Sequence, residues 1–360
     1  MTLTRGARIT GAVLCAVLAL TAVAWIVRDV RAADGPVDVW AYWAGIADLR
    51  TALRPTTAHT SLVLLVVHVL AAVSALRSAA ASSVLIATGL VTLGLRLPAV
   101  WLAADGPAPD DLRDRALITT YAVLAASVAL IVVGVAGRRP VREGEERPAG
   151  PAPAAGVAAF LLLGLMGLVL LGWEIRHPFT LPPELYPAWF TGGRPLHVPL
   201  TEAPPGWSNG VLVVAFLAAA GGALARAAFA RPLGLIVAGF ALSSGVMGIA
   251  RIIHYELYVS FARDTFEVQL TAVTAFVSFV VGAVAIAVLA RKGVERAPAG
   301  SPGPWGGSGP WGPQAPGFGP PQGGFGPPRA PGFGPPQGGF GPPQGGGFAP
   351  PPPSSPPRGW

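Results

Sequence analysis

The sequence predicts an all-α fold, in which an eight-helix transmembrane bundle of two parallel four-helix repeats is followed by a disordered C-terminal tail. Of the 360 residues, 52% are hydrophobic and only 12% are charged, which is about half the charged share of a soluble domain. Eight stretches are long and apolar enough to cross a bilayer. From Ala297 onward the composition changes to mostly Gly and Pro, which cannot form a core.

The predicted spans follow from the length of their apolar stretches. A helix needs about 20 apolar residues to cross roughly 30 Å of hydrocarbon. The third stretch, at about 80–104, contains Arg96 as its only charge. The first resembles a signal peptide, but its 19 uncharged residues favour a membrane anchor. The seven charge-free spans lie between Arg8 and Arg28, Arg54 and Arg77, Arg115 and Arg138, Arg147 and Glu174, Glu202 and Arg226, Arg231 and Arg251, and Glu267 and Arg291.

Charged residues in the loops indicate the orientation. With a cytoplasmic N-terminus, the inner segments before the tail carry twelve basic and four acidic residues, and the outer loops carry ten basic and fourteen acidic residues. The inner connections are also shorter, so basic residues are denser there, as the positive-inside rule expects. Eight spans then place both termini in the cytoplasm of a multi-pass plasma-membrane protein. Because the charges are segregated along the chain, the net charge of +7 does not indicate nucleic-acid binding.

The two halves of the membrane region repeat one order of connections: a long outer loop, a short inner turn and a medium outer loop. A shift of 148 residues places Trp25 on Trp173, and a shift of 149 places Arg77 on Arg226. We therefore predict one four-span repeat over 1–148 and a second over 149–296, related by an axis along the membrane normal. Chance alignment of apolar helices is the alternative explanation.

Arg96 is the one ionised side chain well inside a predicted span. One interpretation is an anion site, or a counter-charge in a water-filled cavity. The other is that Arg96 extends outward to the interface, helped by a helix distortion at Pro98.

Two histidines complete the candidate intramembrane polar site. His68 lies in the second span, and His254 lies with Arg251 and Glu256 at the outer end of the seventh. Such groups could bind haem or relay protons, but a hydrogen-bonded core histidine and a solvated interfacial cluster are the favoured interpretation. We therefore expect no cofactor. A single cysteine excludes a cysteine-based metal site within one chain, and we predict no metal ligands.

The tail, residues 297–360, repeats a Gly-Phe-Gly-Pro-Pro unit, and residues 316–330 recur almost unchanged as 331–345. Regularly spaced aromatic residues on a flexible chain favour weak multivalent contacts with a cytoplasmic protein or with other copies of the tail. A solvated tether is the alternative. Few charges argue against nucleic-acid binding. The candidate contact residues are Phe318, Phe325, Phe333, Phe340 and Phe348.

No familiar catalytic motif is present: the chain has no HExxH, GxxxxGK[ST] or GxSxG sequence. With its Arg, Ala, Gly and Pro bias, the chain resembles uncharacterised actinobacterial polytopic membrane proteins with a Pro/Gly-rich tail. That resemblance covers the whole architecture and has no diagnostic motif. We predict a non-enzymatic protein of the lipid bilayer with a partner-recruiting tail. The alternatives are a transporter or channel for a small, anionic solute and, third, an enzyme that acts through the acidic outer loops.

Overall fold

The computed structural model describes residues 2–33, 35–47, 55–105, 108–141, 148–193, 196 and 198–291. Within these ranges, eight helices are long and apolar enough to cross a membrane, which confirms the predicted number of candidate spans. The predicted tail at 297–360, with its five phenylalanines, lies outside the described residues.

Helices make up most of the described chain. In chain order the helices are α1 (Arg5–Ala32), α2 (Pro36–Ala44), α3 (His59–Arg77), α4 (Ala81–Arg96), α5 (Ala99–Asp105), α6 (Asp110–Ala136), α7 (Pro153–Thr180), α8 (Leu185–Thr191), α9 (Pro205–Leu224), α10 (Ala230–His254), α11 (Leu257–Ser260) and α12 (Phe266–Ala290). Spans are formed by α1, α3, α6, α7, α9, α10 and α12, and by α4 and α5 together as one span at Ala81–Ala104. The other three described helices are short and lie in the connections.

The third span is interrupted where α4 ends at Arg96 and α5 begins at Ala99. Pro98 lies in this gap. Proline has no backbone N–H and its ring clashes with the carbonyl one turn earlier, so a break here is expected although Leu97 keeps helical backbone angles. The interruption places the Arg96 side chain at the end of a helix.

A short antiparallel ladder joins the N-terminus to the segment after α6. Strand β1 (Thr2–Leu3) pairs with β2 (Arg138–Arg139), with Thr2 opposite Arg139 and Leu3 opposite Arg138. These strands are not predicted from the sequence, because two residues carry no alternation of apolar and polar side chains. The ladder holds the start of the first span beside the end of the fourth.

Consecutive spans pack in pairs: α1 with α3, α4 with α6, α7 with α9, and α10 with α12. Helix α10 also contacts α3 and α4, so the two halves of the membrane region pack together in one compact unit. Large apolar side chains such as Leu20, Leu168 and Phe276 are more than half exposed. Exposed apolar side chains on long helices are what contact with lipid requires.

Helices α10 and α12 approach most closely where each contributes a glycine. A Cβ atom on Gly245 would collide with the backbone of Phe279, and one on Gly282 would collide with the backbone of Leu242. Without a hydrophobic effect between helices in lipid, such small residues allow backbone contact and favourable van der Waals packing. The reciprocal pair fixes the crossing of the last two spans.

Candidate functional site

Buried polar side chains concentrate where α1 ends, α3 begins and α4 ends. The chain segment that precedes α9 reaches the same place, so residues from both halves meet there. We call this group the outer polar cluster, because it lies at the end of the bundle that the sequence predicts to be outer; its members are Asp29, Thr56, Thr57, Ser61, Arg96, Thr201 and Glu202.

Arg96 is paired within the outer polar cluster. Its Nη1 lies 3.3 Å from Glu202 Oε1, and the two side chains are only 11% and 9% exposed. Its guanidinium also donates to the Thr201 carbonyl, and Nη2 donates to Ser61 Oγ at 2.8 Å. The structure therefore places Arg96 in a buried ion pair with a carboxylate from the other half, which neither sequence interpretation anticipated.

Glu202 supplies the acceptor at the N-terminus of α3. Its carboxylate accepts a hydrogen bond from the Ala58 backbone N–H at 3.2 Å and from the hydroxyls of Thr60 and Ser61. The N-cap residue Ala58 has no side-chain oxygen that could serve this purpose. A negative charge here also interacts favourably with the helix dipole.

Asp29, near the end of α1, is completely buried. It accepts four close hydrogen bonds: from the backbone N–H groups of Thr56 and Thr57 at 2.9 and 2.8 Å, and from their hydroxyls at 2.8 and 2.6 Å. Arg28 Nη1 donates to the same carboxylate at 2.8 Å. Charge-assisted bonds of this kind occupy the acceptor positions that an ionised carboxylate offers.

Thr201 connects these two carboxylate sites. Its backbone N–H and its hydroxyl both donate to the Thr56 carbonyl, at 3.0 and 2.7 Å. The segment 56–58 is thus held between Asp29 of the first half and residues 201–202 of the second. The outer polar cluster joins the two halves at one end of the bundle.

His68 lies deeper, between α3 and α4. It is 3% exposed, and its Nε2 lies 3.0 Å from Thr92 Oγ1. Within the described part of the chain, His68 Nδ1 has no hydrogen-bond partner, and neither does the buried hydroxyl of Thr88.

The other three predicted polar residues lie elsewhere. Arg251, His254 and Glu256 are exposed at the end of α10. Next to them, the Tyr255 hydroxyl donates to the Gly45 carbonyl at 3.2 Å. The structure thus brings His68 and Arg96 to the same interface of α3 and α4 and leaves the other three on the surface.

Glu174 is a further carboxylate with several partners that was not predicted from the sequence, in addition to Asp29 and Glu202. Glu174, near the end of α7, accepts from Asn209 Nδ2 at 2.7 Å and from Trp189 Nε1 at 3.1 Å. The His177 ring lies 4.4 Å from the Trp189 ring, centroid to centroid. These contacts tie α7, α8 and α9 together.

Asp29, Glu174 and Glu202 appear in the sequence as ordinary acidic residues at the ends of apolar stretches. One available signal was the hydroxyl-rich run at 56–61, Thr-Thr-Ala-His-Thr-Ser, directly before an apolar span. Hydroxyls there indicate a capped helix N-terminus. No sequence spacing identifies the distant carboxylate that binds it.

Chemically, the outer polar cluster is saturated: its carboxylates accept from several donors and its guanidinium is paired. Among the described residues, no group of three or more His, Cys, Asp or Glu side chains could hold a metal ion. The chain matches no protein-family model, no curated protein and no solved structure. Its function is therefore inferred from its own composition and geometry.

Proposed function

We propose that this chain is a non-enzymatic, multi-pass protein of the plasma membrane whose cytoplasmic tail recruits a protein partner or other copies of itself. Eight apolar helices are compatible with an integral membrane protein. The proposal also assigns a structural role to the buried charges of the bundle, an orientation in the membrane and a recruiting role to the tail.

The observation that carries the proposal is the saturation of the outer polar cluster. Arg96 is paired with Glu202, and Asp29 is surrounded by donors from residues 56 and 57. A site that binds a substrate needs polar groups that a ligand can reach, whereas these groups are buried and bound to each other. This arrangement supports a structural role for the buried charges.

The proposed orientation has both termini in the cytoplasm. It is supported by the denser basic residues of the inner connections. The ladder of β1 with β2 is consistent with it, because it joins the N-terminus to the end of the fourth span, which an even number of crossings returns to the starting side.

We further infer that residues 1–148 and 149–296 are two copies of one four-span unit. Each half has a short helix after its first span, α2 or α8, and a short helix directly before its last span: α5, which completes the third span, or α11, which lies in the connection. Trp25 Nε1 donates to Thr119 Oγ1 at 3.2 Å, and Trp173 Nε1 donates to Thr274 Oγ1 at 3.1 Å. Both bonds join the first span of a half to its last, which supports the shift of 148 residues between the tryptophans.

The tail's proposed role rests on its composition. Five phenylalanines recur seven or eight residues apart among Gly and Pro residues between 316 and 348. Each could insert weakly into an aromatic groove of a partner, and repetition would raise the combined affinity.

Deletion of residues 297–360 is expected to remove the partners recovered with the full-length protein from crosslinked membranes, while the amount of protein in the membrane stays the same. The physical reason is that each candidate span is long and apolar enough to enter the bilayer without the tail. Substituting the five tail phenylalanines with serine in the full chain should give the same loss. A matched control replaces Gln314, Gln322, Gln337 and Gln344 with serine and should leave recovery unchanged. Identical partners with and without the tail would contradict the proposal.

A transporter or channel for a small, anionic solute is the second candidate function. It is favoured by the polar atoms of His68 and Thr88, which are buried without partners in the described residues. Solute flux into vesicles that contain the purified protein, lost in a folded double variant with Arg96→Leu and Glu202→Leu, would support this candidate over the first.

A further inference from the structure

Two buried polar atoms, one on α3 and one on the neighbouring α4, have no partner among the described residues. They are Nδ1 of His68, whose side chain is nearly fully buried, and the hydroxyl of Thr88, a residue with no exposed surface. The other ring nitrogen of His68 is hydrogen-bonded to Thr92. Buried polar groups in proteins nearly always have a partner, either in the chain or in an ordered water molecule.

Thr88 differs from several other hydroxyl side chains of the spans. Helical Ser and Thr residues usually donate to the carbonyl one turn earlier. Among the described residues of the spans, five do so at 2.7 to 2.9 Å: Thr21 to Val17, Thr119 to Arg115, Ser127 to Val123, Thr271 to Glu267 and Ser278 to Thr274. The Thr88 hydroxyl makes no such bond. The Thr88 hydroxyl is therefore available for a hydrogen bond to a group outside its own helix.

The depth of the two groups makes their solvation important. His68 is nine residues after His59, where α3 begins, and this corresponds to about 14 Å along the helix axis. That distance is close to half of a hydrocarbon layer of about 30 Å. An unpartnered polar atom at this depth is especially costly, because lipid offers no hydrogen bond.

We propose that a water molecule binds between α3 and α4, hydrogen-bonded to His68 Nδ1 and Thr88 Oγ1. Thr88 and Thr92 lie one helical turn apart, or about 6 Å, on the same face of α4, and His68 is bonded to Thr92, which brings the His68 ring to within about one turn of the Thr88 hydroxyl. One water with two hydrogen bonds of about 2.8 Å bridges polar atoms up to about 5.6 Å apart. A neutral imidazole has one donor and one acceptor nitrogen, so water satisfies Nδ1 in either tautomer.

The proposed water extends a row of polar side chains on α4 that leads to the outer polar cluster. Thr92 and Arg96 are again one turn apart on α4, and Arg96 contacts Ser61 and Glu202. Three residues before Thr88 on α4, Leu85 is apolar and fully buried. From Thr88 the polar side chains Thr92 and Arg96 therefore continue toward the outer polar cluster.

In the second half, the positions that correspond to these polar side chains are apolar. A shift of 149 residues places His68 on Leu217, and a shift of 150 places Thr88 on Ala238 and Thr92 on Leu242. On the duplication proposed above, the corresponding interface is apolar. The fold therefore does not require polar groups at these positions, and the hydrated site is a specific property of the first half.

Solid-state NMR of the full chain in lipid bilayers, with ¹⁵N-labelled histidine, tests this site. Transfer of magnetisation from water to the His68 ring is expected, with the His68 signals identified by their loss in His68→Gln. Thr88→Val should reduce the transfer at least two-fold, while Thr88→Ser should retain it. Thr21→Val is the matched control, since Thr21 is bonded to its own helix, and it should change nothing. A His68 ring without water transfer, or transfer indifferent to Thr88→Val, would overturn the proposal.

Thermal unfolding gives a second measurement on the same variants. If water binds the Thr88 hydroxyl, Thr88→Val loses a hydrogen bond, so its melting temperature falls below that of the wild type. If the hydroxyl is dry and unpartnered, the same substitution removes a buried unsatisfied group and raises the melting temperature. A raised value would contradict the hydrated site.

Discussion

Replacing Asp29 with alanine is expected to lower the free energy of unfolding by about 3–5 kcal/mol, the range found when one partner of a buried charged network is removed. The carboxylate is fully buried and accepts from the backbone and the hydroxyl of both Thr56 and Thr57. Without it, two backbone N–H groups lose their acceptor and remain buried. The measurement is denaturant unfolding of the purified protein in detergent micelles.

Asp38 provides the matched control for this substitution. It lies on the exposed side of α2, close to Asp29 in sequence. Asp38→Ala is expected to change the unfolding free energy by less than about 0.5 kcal/mol, as surface substitutions usually do. Equal effects of the two substitutions would show that the Asp29 contacts do not stabilise the bundle.

Arg96 and Glu202 are expected to be strongly coupled in a double-mutant cycle. Each single substitution, Arg96→Leu or Glu202→Leu, leaves one buried charge without its partner and should cost about 3–5 kcal/mol. The double variant removes both charges. It should therefore be less destabilised than the sum of the single variants by about 2 kcal/mol, within the range found for contacting residues.

The exposed pair of Arg113 and Asp110 is the control for this cycle. Their ion pair is short, at 2.8 Å, but the Asp110 side chain is 89% exposed. Exposed pairs contribute about 0–1 kcal/mol, so their coupling should be small. If Arg96 and Glu202 proved additive, the buried ion pair would not join the two halves. If instead the double variant folded well but lost a solute flux shown by the wild type, the transporter candidate would gain support.

The spans could be predicted from the sequence because a span depends only on the residues within it. Any helix in lipid needs a sufficiently long apolar run, and the third predicted span at about 80–104 agrees with the observed Ala81–Ala104. The two-residue ladder of β1 and β2 could not be predicted, since pairing of such short segments depends on where the bundle places them.

The outer polar cluster was only partly predictable. Arg96 attracts attention because a charge within an apolar run is unusual, and that is a local property. Glu202 and Asp29 lie at the ends of apolar stretches, where acidic residues are common. Their partnership with residues 56–61 arises from packing between segments that are distant in the chain, and a single sequence contains no pattern that reports it.

Mapping the sides of the membrane with reporter fusions tests the central claim most directly. Reporters in the predicted inner segments should report a cytoplasmic location, and reporters in the predicted outer loops should report the outer side. The inner positions are the N-terminus, 78–80, 142–147, 225–229 and after Arg291, and the outer positions are 48–54, 106–107, 194–197 and 255–265. This pattern requires that all eight candidate helices cross the bilayer. Termini on opposite sides of the membrane, or reporters at 142–147 and 106–107 on the same side, would contradict it.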